Sequence, residues 1–405
     1  MALDTTKTAH ELINSGRSTG QTVLDSDGNL KWAMENLYRN GAGGAQSITV
    51  VSGVDYTIRA ASGSVAYSGA ATGTLDASSG VSRVEVTAST TTLTITPTDA
   101  TEIAVYRSDL GGMQFDKYGS DYLPNTTAGA LYGLGIDYST GRGGLQVYEG
   151  RTNILLNTAS LLTQGVIVTA TPYTLSFTGT GTVTLSGAST AGPLVGTGAA
   201  DTDRVSLTFT PSAGTLTLTV SGSVTFAQLE AGSSASPLIP TYGASVTRGA
   251  DNLSTLLSSF GYNVNAGTLV VDFVSFDSDI TDTQNIAGFS DGSSQNRALI
   301  RREGVTSRAL IVSGGSTQAN FSVDGIATGE TSKVALGFEP NNFAQSLDGT
   351  AVVNDADGIM PSGITELKYG RADFEPTSSI LNGLIHSIAY YPFAASDAQL
   401  VEASS

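Results

Sequence analysis

The residues best placed to do chemistry lie in "DFVSFDSDITD" (272–282), which holds Asp272, Asp277, Asp279 and Asp282. Paired carboxylates can hydrolyse a glycosidic bond when they stand about 5–10 Å apart across the sugar. Oxygen ligands at alternating positions can also hold calcium. Here the acids follow an alternating apolar run, and the simpler reading is a strand end that opens into a solvated acidic turn. "DSDGN" (25–29) and "NDADG" (354–358) alternate oxygen ligands too, yet neither reaches the bidentate Glu that a calcium loop needs at its twelfth position. Both read as turns. His10 and His386 are too few and too far apart for a zinc triad, and His386 falls in an alternating run as a strand-face residue. The chain has no Cys, so thiolate metal sites, disulfides and a thiol nucleophile are all excluded. No Ser-His-Asp context supports nucleophilic catalysis. The glycines of "GTGTVTLSG" and "GRGG" lack the Lys and the strand-loop-helix setting of a phosphate loop. What remains is recognition. Sugar binding needs rings to stack on with planar polar groups beside them, and Phe338, Asn341, Asn342, Phe343 and Gln345 form such a cluster in sequence. Alternation along that run sends some of its rings inward.

The elements that must position these residues are short strands. Val, Ile, Leu, Thr and Tyr alternate in runs of four to seven, separated by small-residue turns, which predicts an all-β chain of tandem sandwiches. In "TLTLTV" (215–220), Leu216, Leu218 and Val220 face a core while the threonines face water. The chain also repeats itself. Tyr56 pairs with Tyr173, Arg83 with Arg204 and Leu93 with Leu216, at offsets of 117, 121 and 123 that drift as loop insertions would make them. The exit prolines, Pro124 and Pro240, give 116.

These patterns divide the chain into an N-terminal attachment segment (1–44), a first β-sandwich (45–114), a Tyr-rich extended connector (115–156), a second sandwich (157–250) and a third, jelly-roll-type sandwich (251–405). Within the first segment "TAHELINSG" (8–16) predicts a short helix stopped by Gly16, and "WAMENLYRNG" (32–41) fits a short helix or a docked extended arm equally. A segment so small must lie on the rest of the chain or on a partner. The connector carries Tyr118, Tyr122, Tyr132, Tyr138 and Tyr148, too many rings for a flexible linker, and reads as an arm pinned to a neighbouring surface. At the end, Ser396 and Gln399 form a capping box that predicts a terminal helix.

Of the 405 residues, 19 are Lys or Arg and 36 are Asp or Glu, a net charge of −17. Nucleic-acid affinity comes from cations that displace counterions, so this balance argues against such a partner. The charge serves solubility. No apolar leader opens the chain and no run of about 18 apolar residues crosses a bilayer, which predicts cytoplasmic synthesis without membrane insertion.

Several stretches resemble a known family. "IDYSTGRGGLQV" (136–147) with "EGRTNILLN" (149–157) is similar to a segment of tailed-bacteriophage minor structural proteins, and "AQLEAGSSASPLIPTYGASVTRGADN" (227–252) resembles the end of their carbohydrate-binding-module-like sandwich. "KVALGFEPNNFAQSLDG" (333–349) and "GLIHSIAYYPFAASDAQL" (383–400) look like the last strands of their concanavalin A-like or laminin G-like lectin domain. The resemblance implies a non-enzymatic fibre, spike or capsid-decoration component on the virion surface. It would be a homo-oligomer, with a trimer favoured, and would bind other virion proteins and host-surface glycans. A receptor-binding lectin is the alternative. A depolymerase is the weakest reading, because the Glu-x-Asp-x-x-Glu motif of concanavalin-like glucanases is missing. No cofactor is implied; laminin G-like relatives sometimes hold calcium, which is left unassigned here.

Overall fold

A computed structural model describes residues 14–15, 21–24, 28, 30–33, 35–38, 44–80, 82–101, 103–107, 113–114, 131–132, 135–278, 283–372, 374 and 379–405. The fold is all-β, built of three sandwiches, with one α-helix among the described residues.

The internal repeat is a repeat of topology. In the first sandwich one sheet runs Gln46–Thr49, Thr92–Pro97, Ser64–Gly69, Gly73–Asp76, and the other runs Ala104–Arg107, Asp55–Ala60, Ser82–Thr87. The second sandwich has the same orders: Gln164–Val168, Gly214–Ser221, Thr182–Gly187, Leu194–Val195, and Thr225–Ala231, Tyr173–Thr178, Val205–Phe209. Period-2 alternation makes these strands amphipathic. Leu216 and Leu218 are fully buried while Thr215 and Thr219 are exposed. The equivalent tyrosines also do equivalent work. The Tyr56 hydroxyl accepts from the Val51 amide at 3.0 Å, and the Tyr173 hydroxyl from the Thr169 amide at 3.4 Å, each tethering the chain that leads into its own strand.

The third sandwich packs two seven-stranded sheets face to face. Its core holds Phe273, Phe289, Phe338, Phe343 and Tyr390, each a side chain whose full burial contributes roughly 1.5–3 kcal/mol. The helix Asp397–Ser404 is capped by the Ser396 and Gln399 box as the sequence predicts, and it covers the outer face of one sheet with Leu400.

The edges of this sandwich depart from the predicted divisions. Ile136–Asp137 and Gly144–Val147, placed in the connector by composition, are strands of one sheet, with Leu145 opposite Ile385. In place of the helix expected at 8–16, Asn14–Ser15 is a strand against Leu253 and Ser254, and the rest of that stretch lies outside the described residues. A helix of two turns is marginal alone, and a sheet edge supplies the hydrogen bonds it lacks. The piece 32–41 takes its extended form in Leu30–Ala33 and Glu35–Asn36. Gln21–Leu24 and Leu30–Ala33 form a hairpin that lies on the second and third sandwiches and pairs in parallel with Met113–Gln114. Tyr118, Tyr122 and the first exit proline, Pro124, lie outside the described residues.

The turn at 138–143 is pinned to the third sandwich from two sides. Arg142 donates both terminal nitrogens to Asp272 at 2.7 Å, and His386 Nδ1 lies 3.2 Å from the Gly143 carbonyl oxygen. Burial holds the His386 imidazole below its usual pKa of 6.5, with nearby Arg142 acting in the same direction, while the Gly143 carbonyl and Asp272 oppose it. A depressed base favours the folded state when neutral, so this stabilisation is present above pH 6.5 and is lost as pH falls through the folded-state value. Denaturant titrations should therefore show the wild type losing stability relative to His386→Gln as pH drops below 6.5, with no such trend between pH 7.5 and 8.5.

Candidate ligand site at the module junction

The chain between the second and third sandwiches is knotted by buried polar side chains rather than left as a linker. Asn153 is fully buried; its amide nitrogen donates to the Ala227 and Ile239 carbonyls at 3.1 and 2.9 Å, and its oxygen accepts from the Leu155 and Leu229 amides at 3.1 Å. Glu230, also fully buried, accepts from the Ser236 amide at 2.7 Å, the Ser236 hydroxyl at 2.6 Å and Gln228 at 2.6 Å. Gln228 in turn accepts from the Ile239 amide at 2.6 Å. The small-residue run "AGSSASPLIP" thus crosses inside the molecule, with Ser236 to Pro240 buried. Gly232 sits in the left-handed region at φ +136, where a Cβ would collide with the Arg151 guanidinium, so only glycine lets the chain pass.

Where this crossing meets the third sandwich and the N-terminal hairpin, a cavity of about 280 Å³ opens. The hairpin is one wall, held by the Thr22 hydroxyl donating to the Leu238 carbonyl at 2.8 Å, the Leu30 amide to Asp201 at 2.6 Å and the Leu24 amide to Asp137 at 2.8 Å. The Tyr138 amide returns a bond to the Leu24 carbonyl at 2.9 Å. Asp137 and Gln146 join across the floor at 3.0 Å.

Three rings define the cavity chemically. Tyr148 is only 6% exposed, and no described residue hydrogen-bonds its hydroxyl, which has access to the cavity. Its backbone is fixed by reciprocal bonds with Asp251 at 2.8 and 2.9 Å, and the Arg248 guanidinium lies 5.7 Å from its ring centre. Burial pushes the Tyr148 phenol far above its usual range, so it is neutral at any physiological pH. Phe226 lies in the left-handed region at φ +49, a conformation that costs a bulky residue energy. Beside it the pairing of Tyr173–Thr178 with Thr225–Ala231 slips between Ser176 and Thr178, and Phe226 and Thr178 both line the cavity. Such irregularities re-aim side chains at sites. Phe276 contributes the third ring.

The cluster expected from sequence does not form a surface. Phe338 and Phe343 are 1% and 0% exposed in the third core, and Gln345 is fully buried, donating to Ser307 at 2.8 Å. Only Asn341 and Asn342 are exposed, at the hairpin turn, so no stacking face stands beside them. The acids of 272–282 separate: Asp272 is held by Arg142, Asp277 accepts from Gln284 at 3.1 Å and Asn382 at 3.2 Å, and Asp279 and Asp282 lie outside the described residues. In "NDADG" Asp355 and Asp357 accept from nearby backbone amides, as turn residues do. Among the described residues no three His, Cys, Asp or Glu side chains cluster as a metal site. Sequence reading named Tyr148 only as one ring of the connector and missed Phe226, Phe276 and Gln146. These residues come from three distant stretches, 146–148, 226 and 276, that no local pattern joins.

No protein-family model matches the chain, and no curated protein matches it. Solved structures match about a third of it. The CBM40 of Ruminococcus gnavus IT-sialidase, bound to α2,3-sialyllactose, is 12% identical over 35% of this chain and 84% of its own, with a TM-score of 0.31. Domain 4 of AbnA, a GH43 extracellular arabinanase from Geobacillus stearothermophilus in complex with arabinotriose, is 12% identical over 38% and 73%, with a TM-score of 0.30. The ligand-binding domain of botulinum neurotoxin serotype D, in complex with N-acetylneuraminic acid, is 9% identical over 38% and 40%, with a TM-score of 0.30. Similarity this partial fixes neither a ligand nor a site.

The hairpin wall depends on Asp137. Asp137→Ala removes the acceptor of the part-buried Leu24 amide and one bond of the Gln146 side chain, a loss of about 1–3 kcal/mol in total. Limited trypsinolysis should then cut after Lys31 much faster than in the wild type, while the three sandwiches stay resistant.

Proposed function

We propose that this chain is a non-enzymatic structural component of a bacteriophage virion, displayed on the particle surface, whose β-sandwich modules bind glycan at the junction cavity. The observation that carries the binding half is the strained Phe226 at φ +49, facing the same cavity as the unpartnered Tyr148 hydroxyl. Backbone strain persists where the surroundings enforce it, and it concentrates at ligand clamps. Rings beside uncharged hydrogen-bonding groups suit the two faces of a sugar.

The virion half rests on the resemblance of 136–157 and 227–252 to phage structural proteins. Those stretches supply Asn153, Gln228, Glu230 and Asp251, the buried polar residues of the knot, which suits a component that must hold its modules in fixed relation on a particle. Its partners would be other virion proteins, most simply around a symmetric trimer. The non-enzymatic reading is favoured because Asp272 and Asp277, the acids that sequence singles out, serve as structural acceptors.

Glycan arrays of bacterial surface polysaccharides should retain the full-length chain. Thr202 is exposed at the cavity, so Thr202→Trp should block it while leaving stability within about 0.5 kcal/mol. An array silent at high protein concentration would remove the binding half, and absence of the chain from purified particles by mass spectrometry would remove the virion half.

A further inference from the structure

We infer that the junction cavity selects an uncharged sugar ring over an acidic one, an inference that rests on the glycan-binding reading above. The first ground is size. About 280 Å³ falls just below the roughly 300–1,000 Å³ of sites for drug-sized ligands, which suits a terminal ring rather than a length of polysaccharide chain.

The second ground is charge. Among the described residues lining the cavity Arg204 is the one cation, and each of its terminal nitrogens already donates once. One donates to the Ser236 carbonyl and the other to the Ser176 hydroxyl, each at 2.7 Å. These bonds fix the guanidinium to the wall and take two of its five N–H donors, leaving it less able to turn a two-pronged fork toward a carboxylate. Asp137 and Asp201 line the same space, so an entering anion meets two carboxylates and one cation already bonded to the wall. The net charge of −17 repels it further at long range.

The third ground is what the cavity still offers. The Tyr148 hydroxyl, on a side chain 94% buried, has no hydrogen-bond partner among the described residues. That hydroxyl opens on the cavity, where a bound group can complete its hydrogen bonding in place of water. Neutral at all working pH, it can both give and take a hydrogen bond, as a sugar hydroxyl can. Phe226 and Phe276 supply apolar faces beside it.

Saturation-transfer NMR and calorimetry on the full-length chain would test this, with glucose, galactose and N-acetylglucosamine against glucuronate and galacturonate. At least one neutral sugar should bind, with every uronate at least tenfold weaker. Tyr148→Phe, which removes the hydroxyl alone, should weaken the neutral sugar roughly three- to tenfold, the worth of one hydrogen bond, with an unchanged melting temperature. A uronate bound as tightly as the best neutral sugar would overturn the selectivity and leave the glycan reading standing. Binding that survives both Tyr148→Phe and Thr202→Trp would overturn the assignment to this cavity. If the wild type binds none of these sugars or the polysaccharide array, the glycan reading itself fails.

Discussion

The arrangement of the molecule hinges on one carboxylate. Asp277 lies two residues past the core strand Gly267–Ser275 of the third sandwich, accepts from Gln284 and Asn382 of that sandwich, and also accepts from Ser233 at the end of the second. Asn382 passes the connection to Glu149, which is ion-paired with Arg151, and Arg151 donates to the Ala231 carbonyl. On the far side Arg302, 2% exposed, holds the Asp277 carbonyl at 3.0 Å and Ser275 at 2.7 Å. A chain of charges buried this deeply gains little net stability over an apolar contact, but removing one member strands the others without partners. Apolar surfaces can slide. A network with fixed donor and acceptor directions has one register, and that register sets where the second sandwich stands against the third.

The cavity is a consequence of that register. Its floor comes from the third sandwich through Asp137, Gln146 and Tyr148, and its opposite wall from the second through Arg204, Phe226 and Ser236. The N-terminal hairpin then spans the gap, exchanging backbone and side-chain bonds with both. The segment expected to lie on the rest of the chain or on a partner is, in its described part, a structural wedge of the chain itself. The two copies differ at the strand that borders the cavity. Where the first sandwich pairs Ala104 and Tyr106 with Arg59 and Thr57, the second pairs Gln228 and Glu230 with Ser176 and Thr174, and its strand Thr225–Ala231 has a slipped register at its start. Gln228 and Glu230 bond the crossing from those positions, and the slip turns Phe226 toward the cavity.

Legibility in the sequence followed the range of the forces involved. Alternation is local, so the strands and their buried faces could be read directly, as in the 214–221 strand. The repeat was legible because paired positions such as Tyr56 and Tyr173 keep the same task in both copies. The terminal helix was legible because its cap lies within four residues. What could not be read depends on contacts between distant residues. Asn14 and Ser254 are 240 positions apart, and nothing near residue 14 announces a sheet edge waiting for it. The Phe338 and Asn342 cluster failed for a related reason. A strand lying between a core and a neighbouring strand hides rings that a hairpin at a sheet edge would expose, and local pattern does not distinguish the two.

A site made this way differs from one carved into a single sandwich. A pocket inside one β-module keeps its shape whatever the neighbouring modules do, because its walls share one core. Here Tyr148 and Phe226 stand on different cores, and their spacing exists only while the Asp277 network and the hairpin hold. Ligand that bridges them must favour the locked arrangement over any loosened one, by linkage, in proportion to its preference for the intact cavity. Binding and the alignment of the two sandwiches are therefore a single equilibrium. A residue such as Gly232, which touches no ligand, belongs to that equilibrium because it lets Arg151 reach the carbonyl beside it.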